Sequence, residues 1–168
     1  MTVDVLILTA LRNAEDAPVS GGELAQQLNI SRAAIWAHIQ ELRSIGYEIE
    51  AKPHVGYRLI SVPDVLHADD LVSRLREKPV IGREIKVFKE TTSTNDVVGR
   101  LARDGVPEGA VVFSESQTKG RGRLGRCWVS APGKGLWFSV LLRPDMLPSE
   151  VTRLTIMVGA ALVAGIQR

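Results

Sequence analysis

The sequence predicts an α+β chain of two domains, and three observations carry that reading. Up to Ile45 the apolar residues recur at helical spacing and a strand, turn, strand pattern follows. Beyond residue 84, short runs that read as strands alternate with helical segments, the pattern of a mixed sheet with helices packed on it. The composition, 45% hydrophobic and 24% charged with mean hydropathy +0.05, suits a chain that buries a core. We place the first domain at residues 1–62, a linker at 63–68 and the second domain at 69–168.

The elements of the first domain follow in order. Val3, Leu6, Ile7, Ala10 and Leu11 form one helical stripe, which the turn-rich segment with Pro18 ends. Ser20 with Glu23 three residues on has the form of a capping box, and Leu24, Ala25 and Leu28 supply the face of a second short helix. Asn29 and Ile30 make a tight turn. Ser31 then caps a third helix, whose Ile35, Ile39, Leu42 and Ile45 run to Gly46. Strands at Tyr47–Ala51 and Tyr57–Ile60 flank a turn and form a hairpin. Helix, turn, helix and hairpin in this order is the winged form of a DNA-reading module. On that reading Ser31, Arg32, Ala33, Trp36, Gln40 and Arg43 face the groove and Lys52 of the wing reaches the backbone. The competing reading is a helical protein-interaction module. Five basic residues against seven acidic ones in residues 1–62 weigh against strong nonspecific binding to phosphate.

In the second domain, Asp69 and Asp70 start a helix that reaches about Lys78, and Ile85–Lys89 reads as a strand. Ser93 or Thr94 caps a helix to Asp104. Ala110–Ser114 and Gly135–Leu142 are further strands, and Val151–Gln167 is an apolar helix with no stop signal after it. More apolar surface than three strands can cover suggests that this domain is cut in the middle.

Several function classes fall away. No run approaches the ~18–20 apolar residues of a membrane-spanning helix, since Arg153 and Thr155 interrupt the apolar tail. The segment Met1–Leu11 lacks the basic flank of a signal peptide. One cysteine, Cys127, makes neither an intrachain disulfide nor a cysteine-rich zinc site; it reads as a packed residue, and a cytoplasmic location is expected. His38, His54 and His67 are scattered and read as surface residues.

Two segments of the second domain carry chemistry. Thr91–Asn95 clusters hydroxyl and amide groups between a strand and a helix, suited to a polar ring or a carboxylate and equally to a plain helix cap. From Ser116 to Pro144 there is no acidic residue, while Lys119, Arg121, Arg123, Arg126, Lys134 and Arg143 are all basic, so an anionic partner is expected there. Within it, Gln117–Trp128 interleaves glycine with arginine, as a loop folding around an anion requires. Gly120, Gly122 and Gly125 match G-x-G-x-x-G, but no helix starts there, so a dinucleotide site is rejected. A flexible RNA-binding segment or a solvated connection stands beside the small-molecule reading. Trp128, Trp137 and Phe138 read as strand core or as surfaces for a base.

Ser93-Thr94-Asn95, then Gln117 to Trp128 as Q-x-x-G-R-G-R-x-G-R-x-W, then Gly135–Ser139, closely resemble the biotin protein ligases. The first domain resembles that of the members which also repress biotin biosynthesis. The resemblance implies that biotin and ATP, with Mg2+, give biotinyl-5′-adenylate, which acylates a lysine of the biotin carboxyl carrier domain of acetyl-CoA carboxylase. It implies biotin and adenylate binding by Ser93, Thr94, Asn95, Gln117, Gly120, Arg121, Gly122 and Arg123. Arg121 and Arg123 would do the catalytic work on developing negative charge, with Arg126 and Trp128 supporting the loop. It also implies a homodimer, when adenylate is bound, that presents two winged helices to operator DNA. The Lys-Trp-Pro-Asn-Asp motif and small C-terminal barrel of that family are absent from these residues. The chain therefore reads as the front part of such a protein, with impaired ligation. A biotin-sensing regulator without ligase activity is the alternative, and a lipoyl or octanoyl transferase is a more distant one.

Overall fold

The computed structural model describes residues 2–75 and 79–167; the side chains of Arg123 and Pro148 lie outside that description. The first unit comprises α1 (Val3–Asn13), α2 (Gly21–Leu28), α3 (Arg32–Ser44) and a hairpin of β1 (Glu48–Lys52) and β2 (Gly56–Ser61). Side chains cap each helix. Thr2 Oγ1 accepts from Val5 N at 3.3 Å, and Ser31 Oγ accepts from Ala34 N at 3.1 Å. Ser20 Oγ accepts from Gly22 N at 3.2 Å, so the cap of α2 spans two residues and not the three of the expected box. Asn29, at φ 53° and ψ 44°, takes the left-handed conformation that ends α2 and aims α3.

Ile7, Leu8, Leu11, Leu24, Ile35, Ile39 and Leu42 are buried together with Tyr47 and Ile49, so all three helices and the wing share one core. Val19 and Tyr57 exchange backbone hydrogen bonds of 2.8 Å, which ties the wing to the approach to α2. Gly56 makes this possible. At φ +134° its Cβ position would fall 2.2 Å from the Val19 carbonyl oxygen.

The second unit begins with α4 (Ala68–Ser73), shorter than the sequence predicted; residues 76–78 of the expected helix lie outside the described residues. Then come β3 (Glu84–Phe88), α5 (Thr94–Arg103), β4 (Ala110–Ser114), β5 (Gln117–Arg121), β6 (Cys127–Ser130), β7 (Trp137–Val140) and α6 (Val151–Ile166). β3 pairs parallel with β4, and β4 pairs antiparallel with β7, giving the mixed sheet in the order β3-β4-β7. Ala110, Val111, Val112 and Leu141 are buried, as is Val97 of α5, and Phe113 stacks on Phe138 at 5.5 Å between centroids. The fold is α+β, as the sequence predicts. Among the described residues no helix is long and apolar enough to cross a membrane.

One segment departs from expectation. Gln117–Trp128, read as a loop folding around an anion, is mostly an antiparallel hairpin of β5 and β6 joined by a single turn at Arg123–Gly125. Its strand character comes from pairing rather than from apolar alternation. Thr118 N donates to Thr91 O at 2.9 Å and Lys119 N to Thr92 O at 2.8 Å, so the hairpin is stitched to the segment that leads into α5.

Candidate functional site

The loop after β3 and the hairpin after β4 leave the sheet at the carboxyl ends of its two parallel strands, where open α/β sheets hold their ligands. There Ser93, Thr94, Asn95, Gln117, Arg121, Trp128 and Ser139 line a cavity of about 240 Å³, walled by Leu136, Trp137 and Phe138. A connected set of polar groups forms its floor. Gln117 Oε1 accepts from Thr94 N at 2.8 Å and from Thr94 Oγ1 at 3.2 Å, while Gln117 Nε2 donates to Ser130 Oγ at 3.0 Å. Thr94 Oγ1 and Ser139 Oγ lie 2.8 Å apart, and Ser139 Oγ donates to Asn95 Oδ1 at 2.9 Å.

The hydroxyl cluster does not cap α5 through the serine side chain. Ser93 occupies the N-cap position but makes no side-chain capping bond; Gln117, from another element, meets the first helical amide instead. The side chains of Ser93 and Thr94 are buried. Both line the cavity.

Gly120 sits where no side chain fits, because a Cβ there would come within 2.8 Å of the Trp128 carbonyl oxygen. At Gly122 a Cβ would lie 3.3 Å from Arg126 and Trp128, a tighter contact than most side chains make. The two glycines thus let β5 and β6 approach, which is the physical content of their spacing. Arg121, at the end of β5, forms an ion pair with Asp96 in the first turn of α5. Together with Asn95 it also borders two larger grooves, one with Arg126, Cys127 and Trp128 and one running along α5.

Several expectations need correction. Cys127, read as packed, is exposed. Trp128 is exposed on the cavity rim, and neither it nor its neighbour Val129 is core. Arg123 is placed in the turn by its backbone, but its side chain lies outside the described residues, so its expected role rests on the motif alone. The sequence reading missed Ser130 and, as a cavity member, Ser139. Both are polar residues within otherwise apolar strand runs, and that is the signal they offered. It also missed Asp96 and the Trp137 indole Nε1, which is buried at the cavity wall without a hydrogen-bond partner.

On the first unit, Ser31, Arg32, Ala33 and Trp36 are exposed along α3, and Gln40 is half-buried on the same flank. A groove of about 580 Å³ runs between the starts of α2 and α3 and the tip of the wing, with Arg32 and Lys52 on its walls. Arg43 is the exception to the groove-facing reading. Its Nε donates to the Ile49 carbonyl at 2.9 Å and its Nη2 bonds the same oxygen, which spends the guanidinium on holding β1 to α3. Lys52 pairs with Glu50 at 3.3 Å, and Arg58 meets the other Glu50 oxygen at 2.9 Å.

Comparisons with known proteins bear on both units. Residues 6–58 match an HTH domain family, and residues 87–167 match the Biotin/lipoate A/B protein ligase family. The bifunctional ligase/repressor BirA of Bacillus subtilis is 39% identical over 149 residues, covering 89% of this chain and 46% of the relative. BirA of Escherichia coli is 32% identical over 165 residues, 96% of this chain and 48% of the relative. The chain is homologous to these ligase/repressors. It spans about half the length of the curated relatives it matches. The ligase-family segment contains the cavity in full, and the HTH match contains α2, α3 and the groove face.

Proposed function

We propose that this chain carries the biotin-recognition and DNA-reading parts of a biotin protein ligase that doubles as a repressor of biotin biosynthesis. The observation that carries the proposal is the Ser130, Gln117, Thr94, Ser139, Asn95 hydrogen-bond network on the floor of a cavity with apolar walls. A ureido ring offers two N–H donors and one carbonyl acceptor, and these match amide and hydroxyl groups that can each donate or accept. The thioether ring and the acyl chain fit the walls of Leu136, Trp137 and Phe138, and the orphan indole N–H supplies one further donor.

In the proposed reaction a biotin carboxylate oxygen bonds to the α-phosphorus of ATP as pyrophosphate leaves. The lysine ε-amine of a carboxyl carrier domain, proposed as that of acetyl-CoA carboxylase, then attacks the acyl carbon; the C–N bond forms, AMP leaves and the amine gives up its proton. Arg121 lies at the cavity mouth, where the carboxylate and the phosphate meet. There a guanidinium fork stabilises charge that grows in the transition state, and the hairpin orients the two reactants. We assign Arg123 the same work on the strength of the motif, and Arg126 and Trp128 the support of the hairpin's turn. The cluster of three potential metal-ligating side chains among the described residues, Asp4, His38 and Glu41, is in the other unit, and we propose that Mg2+ comes with the nucleotide's phosphates. Bound there, it would neutralise phosphate charge.

For the first unit we propose operator DNA as the partner, read by Arg32, Trp36 and Gln40 in the major groove with Ser31, Ala33 and Lys52 near the backbone. A homodimer formed with adenylate bound would supply the second reading head. Isothermal titration of the chain with biotin tests the core of the proposal. Saturable binding is expected, weakened about tenfold or more in Asn95→Ala, since a site built to hydrogen-bond its ligand loses heavily when one partner is removed. No saturation by biotin, or octanoate raising the melting temperature in its place, would overturn it.

A further inference from the structure

A groove of about 600 Å³ runs along α5 from the cavity mouth, lined by Thr91, Thr92, Asn95, Asp96, Arg100, Arg103 and Arg121. It shares Asn95 and Arg121 with the cavity, so the two spaces are neighbours on either side of these side chains. Arg100 and Arg103 stand three residues apart on one face of the helix and are exposed. Neither takes part in an ion pair among the described residues, whereas the third guanidinium, Arg121, is held by Asp96. Asp96 is also the groove's one carboxylate.

Three guanidiniums in a row, two hydroxyl side chains beside them and one carboxylate already engaged make a track for an extended anion with several charges. An anion that carries several charges along its length can meet all three, where a monovalent carboxylate cannot match their charge. We propose that this groove seats a linear polyphosphate, the two terminal phosphates of the nucleotide whose α-phosphate reacts at Arg121. Asp96 holds Arg121 until that chain arrives and then gives up the guanidinium to it. The pair is open to solvent, and such pairs contribute little, so the exchange is easily made. The inference rests on the ligase reading for the identity of the polyphosphate but not for its binding.

The test is titration of the 168-residue chain with inorganic tripolyphosphate at fixed ionic strength, with biotin titrated in parallel. The variants are Arg100→Ala/Arg103→Ala, Asp96→Asn, and a control, Arg83→Ala/Lys86→Ala, which removes equal charge just before and midway along β3, at residues that do not line the groove. Loss of two charge-assisted contacts should weaken tripolyphosphate about tenfold or more in the first variant and leave biotin binding unchanged. Asp96→Asn should tighten tripolyphosphate several-fold by removing the competing carboxylate, and the control should change little. Equal weakening in the control, no weakening in the first variant, or weaker binding in Asp96→Asn would overturn the groove assignment. If tripolyphosphate follows this pattern but biotin does not bind, the anion groove stands and the ligase reading fails. If biotin binds and tripolyphosphate is insensitive to the arginines, the reverse holds.

Discussion

Gln117 joins more of the candidate site than any other side chain. Its carbonyl meets the first helical amide of α5 and the Thr94 hydroxyl, and its amide reaches Ser130 across the hairpin. Truncation would leave a helix-start N–H and a buried serine without their partner. Gln117→Ala should therefore destabilise the second unit by about 1–2 kcal/mol. It should also abolish most biotin binding, read from urea unfolding and titration of the same preparation. Unchanged stability would mean that the network contributes little before ligand arrives. The residue types of this site were legible in the sequence, but their division of labour was not. Ser93 reads as a cap because serine before a helix usually is one. That Gln117 takes the role depends on a contact across 23 positions, which no local pattern encodes.

At the scale of elements, the helices of the first unit were legible because each carries its own start and stop chemistry. Ser20 and Ser31 cap, Asn29 and Gly46 terminate, and the apolar period supplies the rest, whereas the Thr2 cap of α1 emerges only from the structure. The β5-β6 hairpin was not legible, because Gln-Thr-Lys-Gly-Arg has no strand alternation and is extended only through its pairing with β6 and with Thr91 and Thr92. The wing has its own electrostatics. Hydrogen bonding to Lys52, and then to Arg58, holds the Glu50 carboxyl below its ordinary value. A carboxylate with a lowered folded value stabilises at full strength above its unfolded value and loses that contribution as pH falls through the folded one. Nuclear Overhauser contacts between β1 and β2 should stay constant from neutral pH to about 5 and weaken below the ordinary glutamate range near ~4.3. Glu50→Gln should remove that dependence; a wing equally sensitive to acid in this variant would assign the effect elsewhere.

For the whole molecule, the two units meet through α1 and α4. Arg12 pairs with Asp70, Asp70 also receives Arg74, and the Tyr47 ring sits 5.9 Å from His67. Burial first, and then the charge of Asp70 and a hydrogen bond to it, raise the Tyr47 phenol well above its ordinary value, so it stays protonated. Removing Asp70 strands a largely buried guanidinium. Asp70→Ala should cost about 3 kcal/mol, the lower end of what breaking a buried pair costs. It should speed thermolysin cleavage before Leu66 in the connecting segment. Cleavage at the wild-type rate would show that the ion pair does not hold the units together. Elsewhere α6 carries Ile156, Met157, Leu162, Val163 and Ile166 exposed. That much bare apolar surface should make this 168-residue chain bind hydrophobic dyes and self-associate at high concentration.

The capping of α5 by a cavity residue has a spectroscopic consequence. Most helices protect their first amides with a neighbouring side chain that no ligand touches. Here the Thr94 N–H donates to an oxygen of a side chain that lines the cavity, so on the proposed function a bound ligand should perturb it. That one proton, read by its chemical shift or its exchange with deuterium, should therefore report whether the cavity is filled, and it needs no label.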